Sequence, residues 1–125
     1  MDAPSQAATT TATEGPGVAT DARDREPCCA RYHRAVELVG KRWTGAILLV
    51  LLDGPLRFSE IRQLVPDLSD RLLSERLKEL EAEEIVERHV TDDPPVRVDY
   101  ALTSKGRALE PALRALKSWS HEHRC

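Results

Sequence analysis

The segment from Leu68 to Ile85 constrains the fold most, because its leucines recur at helical spacings. They occupy positions 68, 72, 73, 77 and 80, which places them on one stripe of a helix and leaves the other faces polar. Ser69 is placed to cap the first turn, and Asp70 suits the positive end of the helix dipole. The segment therefore predicts an amphipathic helix whose exposed first turns carry Asp70, Arg71, Ser74, Glu75 and Lys78.

A short helix, a tight corner and a hairpin surround this segment. Residues 58–65 predict a helix capped by Ser59, and residues 66–68 leave room only for a corner between two helices. Residues 86–91 and 96–103 are β-rich runs that flank the turn residues 92–95, and residues 56–58 suit a short edge strand. A helix-turn-helix followed by a hairpin is a winged helix. The predicted fold class is therefore mainly α with a small β-hairpin.

The other predicted helices are one buried core helix and one helix near each end of the chain. Residues 43–52 are apolar almost all round, which indicates a buried helix because the run is too short to span a membrane. A first helix is predicted from residue 31 to Gly40. A last helix is predicted from Thr103 or Ser104 to about His121, with a bend near Arg107 caused by Pro111.

The last helix has more apolar surface than one underlying helix can cover. We therefore expect a second copy of the chain to pack there, with a self-contained cap on the core as the alternative. The candidate dimerisation residues, on the first and last helices, are Tyr32, Val36, Leu113, Leu116 and Trp119.

Length and composition leave room for one folded domain. The chain has 125 residues, of which 41% are hydrophobic. Residues 1–27 lack apolar periodicity, so we expect a disordered tail there and one domain over residues 28–125. Neither a secretory signal nor a membrane-spanning run is visible, which predicts a cytoplasmic protein without a membrane partner.

The net charge of −3 neither supports nor excludes nucleic-acid binding. The excess acid lies in residues 1–27, whereas residues 28–125 hold sixteen basic and sixteen acidic side chains. The positions of the cations matter more, because salt screens charges beyond roughly 8 to 10 Å. Cations gather in the helix-turn-helix and hairpin, and glutamates gather at the far end of the 68–85 segment. The candidate DNA-binding residues are Ser59, Ser69, Arg71, Ser74, Glu75, Lys78, Arg88 and Arg97.

These residues are assigned different tasks on double-stranded DNA. Arg71 and Ser74 are expected at base edges or nearby phosphates, Lys78 and Ser59 at the backbone, and Arg97 at the flanking minor groove or sugar-phosphate rail. Arg76 is left out of the set. It neighbours the buried leucine stripe, where we expect it to pair with an acidic residue of the same domain.

Enzymatic and metal chemistry find little support in the sequence. Cys29 and His33 stand four residues apart on a predicted helix, but no third orienting group or glycine-rich oxyanion turn accompanies them. Near the C-terminus, His123 would point away from His121 and Cys125 on a helix, which disfavours a metal site. We predict no catalytic residue, no metal ligand and no cofactor. A winged helix used only for protein contacts is the remaining alternative, and the cations of the hairpin count against it.

Four blocks of the sequence resemble the HxlR-type bacterial regulators within the MarR-like winged-helix group. The blocks occur in family order and spacing and are Cys29 with HRAVELVGKRWT at 33–44, GPLRFSEI at 54–61, LLSERLKELE at 72–81, and PVRVDYALT at 95–103 with Gly106 and Arg107. The resemblance covers nearly all of residues 28–125. It implies a homodimer, built from the first and last helices, that controls transcription of a nearby operon. We expect this dimer to read a pseudo-palindromic operator.

The resemblance also implies a thiol that senses oxidants or electrophiles. That thiol would be Cys29, with Cys28 as a candidate resolving thiol, although a bridge between adjacent cysteines is strained. The chain departs from the family here, because Ala30 follows Cys29 where relatives often have proline, and Cys28 precedes it. Two alternatives stay open: an inert cysteine, and a regulator that responds to a small-molecule ligand instead of an oxidant.

Overall fold

The computed structural model describes residues 21–123, and its elements alternate helices with one small sheet. Their bounds are α1 Ala30–Gly40, α2 Thr44–Leu51, β1 Leu56–Arg57, α3 Phe58–Leu64, α4 Asp70–Ala82, β2 Val86–Thr91, β3 Arg97–Leu102, α5 Ser104–Arg107 and α6 Glu110–His123. The order confirms the predicted mainly α winged helix-turn-helix with a hairpin. No helix among the described residues is long and apolar enough to cross a membrane.

The chain divides into two units, residues 1–33 and 34–125. In the first unit, the described residues begin with a 3-10 turn at Ala22–Asp24, capped by the Asp21 carboxylate. A hydrogen bond from Arg23 lowers the pKa of Asp21. Of the tail predicted to be disordered over residues 1–27, residues 1–20 lie outside the described residues.

The core of the second unit consists of α2, α3, α4 and Leu113 of α6, packed against one end of the sheet. Ile47, Leu48 and Leu51 of α2 are completely buried, which confirms the buried helix predicted from its apolar composition. The leucine stripe of α4 meets them, with Leu73 fully buried and Leu77 and Leu80 each 1% exposed. This packing fixes which face of α4 is left for solvent.

The sheet has three antiparallel strands in the order β1-β3-β2. Leu56 of β1 pairs with Tyr100 of β3, so the predicted edge strand is present, over two residues. The hairpin register pairs Val86 with Leu102 and Thr91 with Arg97. Both residues of the first pair are buried, whereas the second pair lies at the exposed tip.

Helix α4 begins and ends through two different devices. The Ser69 hydroxyl accepts a hydrogen bond from the Leu72 amide at 3.1 Å, which confirms the predicted cap. The helix stops at Ala82, three residues before the predicted Ile85, because Glu84 adopts a left-handed backbone with φ of 62°. The Ile85 amide then donates back to the Leu80 carbonyl at 2.9 Å, as in a Schellman motif. This turn sends Ile85 into the core.

The start of α3 also differs from the sequence prediction. Ser59 does not cap α3, because β1 runs directly into the helix and α3 already begins at Phe58. Glu60 acts instead: its Oε1 accepts a hydrogen bond from the Arg57 amide at 2.8 Å. Residues near helix starts often reach back in this way.

The C-terminal segment was predicted as one helix with a bend near Arg107, whereas the structure divides it at that place into two helices, α5 and α6. Thr103 caps α5 as predicted, its Oγ1 accepting from the Gly106 amide at 3.0 Å. Pro111 lies in the first turn of α6, where a missing amide proton costs little. The chain therefore breaks before the proline, and α6 continues to His123.

Candidate DNA interface

The exposed face of α4 carries the polar residues expected at DNA. Arg71, Ser74, Glu75 and Lys78 follow one another at intervals of three, one and three residues, which keeps them on one side of a helix. The buried leucines occupy the opposite side. Ser74 is half-buried, whereas the other three are exposed. The structure therefore brings these four predicted residues together.

Arg71 and Lys78 differ in whether their side chains form an ion pair within the chain. The Arg71 side chain is 91% exposed, and its Nε lies 3.3 Å from Glu75 Oε2 one turn along the helix. An exposed pair of this kind is worth only about 0.3 to 0.5 kcal/mol, so a phosphate or base can displace Glu75. Lys78 forms no hydrogen bond or ion pair with any residue of the 21–123 region. Both cations are accessible to DNA.

The two predicted serines occupy separate places. Ser69 stands before α4, and its oxygen already caps the helix, so its hydroxyl proton remains for a phosphate. Ser59 is exposed in the first turn of α3. Neither serine is part of the row formed by Arg71 and Lys78.

The hairpin cations lie on opposite faces of the wing. Arg88 is cross-strand from Tyr100 and shares a strand face with buried Val86, whereas Arg97 pairs with Thr91 on the other face, because side chains alternate along a strand. Neither guanidinium group forms a hydrogen bond or an ion pair with another residue in the described part of the chain. The wing thus offers one cation on each face.

Arg62 forms hydrogen bonds across the turn between α3 and α4. Its Nε donates to Asp70 Oδ1 at 2.5 Å, and its Nη1 donates to the Pro66 carbonyl at 3.4 Å. The sequence showed a cation near the corner but not these partners. Because the guanidinium is occupied within the turn, Arg62 orients α3 against the start of α4.

A second group of hydrogen bonds and ion pairs joins the turn after α1 to α4. The sequence predicted only one of its contacts, the pairing of Arg76 with an acidic residue. Arg76, only 12% exposed, donates through Nε to the Arg42 carbonyl at 3.0 Å and pairs with Glu79 at 3.3 Å. Lys41 Nζ lies 2.9 Å from the same carboxylate, and chiefly this hydrogen bond lowers the pKa of Glu79. The expected pairing of Arg76 with an acid of its own domain is confirmed. Nothing in the local sequence indicates Lys41, 38 residues away from Glu79.

Two thiols precede α1. Cys28 and Cys29 are both exposed, and the Cys28 Sγ donates to the Cys29 carbonyl at 3.6 Å. That carbonyl also accepts the His33 amide at 3.0 Å, which places Cys29 directly before the first turn of the helix. Cys125 lies outside the described residues. Within residues 21–123, no group of three metal-ligating side chains could hold a metal ion.

Large apolar side chains stand exposed on both terminal helices. The exposed fractions are 66% for Tyr32, 50% for Val36, 59% for Leu116 and 50% for Trp119. Leu113 departs from the prediction, because it is only 5% exposed and belongs to the core of its own chain. It faces inward one turn before Leu116 and thereby anchors α6.

Known transcriptional regulators are similar to this chain in sequence. The family model for the HxlR-like helix-turn-helix matches residues 38–124. The chain is 50% identical over 94 residues to the uncharacterized HTH-type transcriptional regulator YvaP of Bacillus subtilis, spanning 75% of this chain and 87% of YvaP. It is 48% identical over 94 residues to the HTH-type transcriptional regulator YodB of the same organism, spanning 75% and 84%.

Solved structures agree with the fold. The reduced form of YodB has a TM-score of 0.71 at 46% identity, covering 78% of this chain and 96% of that one. The redox regulator HypR in its reduced form has a TM-score of 0.72 at 36% identity, covering 76% and 94%. YodB is also known in diamide-treated and quinone-bound forms. The resemblance drawn from the four sequence blocks is confirmed, and its relatives are regulators, not enzymes. The chain belongs to the HxlR-like helix-turn-helix family of DNA-binding transcriptional regulators.

Proposed function

We propose that this transcriptional regulator binds a pseudo-palindromic operator as a homodimer, with α4 of each copy in a major groove. The observation that carries the proposal is the row of accessible polar side chains on α4, opposite its buried leucines. An α-helix fits the major groove, where an arginine can donate two hydrogen bonds to one guanine. Arg71 is the residue with the reach and exposure for that contact.

The other candidates divide between base reading and positioning. Ser74 and Glu75 lie one turn after Arg71 on the groove side of α4 and take part in reading the DNA sequence. Lys78, Ser59 and Ser69 contact phosphates, which fixes register but carries no sequence information. Arg97 and Arg88 hold the wing against the flanking backbone, from opposite faces of the hairpin.

A second copy of the chain covers the apolar surface of the terminal helices. Leu116 and Trp119 point away from the core that holds Leu113, and each buried large apolar side chain contributes about 1.5 to 3 kcal/mol. Arg114 links the same helix to Asp53 of its own chain at 3.4 Å and pairs within the helix with Glu110 at 2.7 Å; chiefly the Glu110 bond raises the pKa of Arg114. Tyr32 and Val36 of α1 are the other proposed contacts with the second copy. Two-fold symmetry then presents two recognition helices to successive grooves.

Cys29 is the proposed point of control. It is an exposed thiol directly before α1, and the relatives YodB and HypR are known in diamide-treated and oxidized forms. Diamide removes two electrons and two protons from two thiols and leaves a disulfide, here between Cys29 and a thiol of the second copy. Operator affinity should fall on diamide treatment in the parent and stay constant in Cys29→Ser. An equal response in both would assign the reaction to a thiol other than Cys29, and no response in the parent would leave a small-molecule ligand as the signal.

The recognition face is tested by three matched variants in operator-binding titrations. Arg71→Ala should weaken operator binding by about 1 to 3 kcal/mol and relax preference at one position of each half-site. Lys78→Ala should weaken all sequences alike and reduce the salt dependence of binding. Lys117→Ala, which removes an exposed cation of α6, serves as the control and should leave affinity unchanged. If Arg71→Ala and Lys78→Ala both bind like the parent, α4 is not the recognition helix.

A further inference from the structure

Two thiols stand side by side where the family resemblance calls for one. Cys28 and Cys29 are adjacent in the chain and both are exposed. Pro27 precedes them and Ala30 follows, so the immediate neighbours add no other ligating side chain. The pair is therefore a dithiol with two soft donor atoms on consecutive residues.

This dithiol is a poor source of an internal disulfide. Consecutive Cα atoms are about 3.8 Å apart across a trans peptide, whereas disulfides usually join Cα atoms about 4.4 to 6.8 Å apart. Closing the bond between Cys28 and Cys29 would therefore distort the intervening peptide. One atom inserted between the sulfurs enlarges the ring and relieves that distortion, so a bridging electrophile suits the pair better than direct oxidation.

We propose that Cys28 and Cys29 together form a bidentate binding site for organic trivalent arsenicals. Soft thiolates prefer soft Lewis acids, and an arsenical of the form R–As(OH)₂ has two exchangeable positions. Two S–H and two As–OH bonds break, two As–S bonds form, and two waters leave. Arsenic stays trivalent throughout, so no oxidant or reductant is required. The carbon substituent fills the third position, which matches a site that supplies two sulfurs.

The chelate distinguishes this site from a single reactive cysteine. Once one sulfur has bound arsenic, the second is held nearby, and such intramolecular binding steps commonly gain a factor of 10² to 10⁴. A monothiol such as glutathione lacks this advantage. The site should therefore retain an organic arsenical in the presence of excess glutathione. Quinones and diamide differ from the arsenical, because they need only one protein thiol to begin reaction. This property is separate from operator binding.

Phenylarsine oxide, which hydrates to the dihydroxy form, is the probe. The full chain in excess glutathione should take up one phenylarsenic group by intact mass and lose two of its three titratable thiols. Cys28→Ser and Cys29→Ser should each bind on the order of 100-fold more weakly, and Cys125→Ser should bind like the parent. Inorganic arsenite should bind more weakly than the organic probe, because its third position lacks a protein thiol.

Three results would overturn the proposal. They are the loss of a single thiol on binding, full affinity in Cys28→Ser, and loss of binding in Cys125→Ser as large as in Cys29→Ser. The readout contains no DNA, so failure of the arsenical site and failure of the proposed operator binding are observed separately.

Discussion

Replacing Gly106 with alanine should disturb the junction between α4 and the wing. A Cβ at this position would lie 2.2 Å from the Ile85 carbonyl oxygen and 3.1 Å from the Ile85 carbonyl carbon. Ile85 joins the end of α4 to β2, and its carbonyl accepts the Thr103 amide at 3.0 Å and the Thr103 hydroxyl at 3.2 Å. The new methyl group thus meets a backbone carbonyl that two hydrogen bonds from Thr103 already hold in place.

The cost follows from these contacts. Ordinary van der Waals contact begins near 3.4 Å, so α5 and the Ile85 peptide must separate by more than about 1 Å. Forced overpacking costs about 1 to 3 kcal/mol, and each weakened Thr103 hydrogen bond costs about 0.5 to 1.5 kcal/mol. A total of about 2 to 6 kcal/mol corresponds to a fall in Tm of at least roughly 8 °C for a domain of this size.

Thermal and urea unfolding, followed by circular dichroism, measure this loss. Gly40→Ala is the matched control, because a Cβ there meets nothing within 4 Å and alanine favours helix by up to about 1 kcal/mol over glycine. We expect the Gly40 variant to equal or exceed the parent in stability. A Gly106→Ala protein that unfolds within about 2 °C of the parent would refute the proposed packing at the wing junction.

Three further variants test the interface, an ion pair and a helix cap. Replacing Leu116 and Trp119 together with serine should shift the protein from dimer to monomer at micromolar concentration in sedimentation and reduce operator affinity. The hydrogen bond from Lys41 lowers the pKa of Glu79, so the ionised carboxylate stabilises the fold above its ordinary pKa and this contribution disappears as pH falls through the lowered value. Glu79→Gln should therefore lose less stability than the parent between neutral pH and pH 3, measured by urea unfolding. Ser69→Ala should lower the free energy of unfolding by about 1 kcal/mol, because the Leu72 amide loses its cap.

Each of these variants has an outcome that would contradict its reasoning. Leu64→Ser is the control for the interface, since Leu64 is 57% exposed on α3; equal dimerisation in both variants would place the interface elsewhere. An unchanged acid sensitivity in Glu79→Gln would show that the Lys41 pair does not form in solution. Full stability in Ser69→Ala would show that water replaces the cap without cost.

The sequence predicted α4 well at its start and poorly at its end, for physical reasons. Leucine periodicity and a serine in the cap position are local signals, and both were confirmed. The end depends on Glu84 in a left-handed conformation, which glycine usually adopts. A glutamate in the middle of a polar run carries no such signal, so the predicted helix extended to Ile85.

The same distinction between local and tertiary information applies to the site. The exposure of Arg71 follows from the leucine stripe on the other side of its helix. The Arg42 carbonyl that Arg76 contacts and the partners of Arg62 could not be predicted, because they depend on turns that the fold brings close. Leu113 and Leu116 lie on one broad apolar stripe, and only the packing of α6 decides that the first is buried and the second exposed.

Footprinting on the intergenic DNA upstream of the protein's own coding sequence tests the central proposal most directly. We expect two protected major-groove segments about 10 base pairs apart centre to centre, with two chains bound per duplex. Arg71→Ala should weaken protection in both segments equally, because two-fold symmetry places the same residue in each. A single protected segment, or equal protection of a scrambled duplex, would contradict operator reading by a symmetric pair of α4 helices.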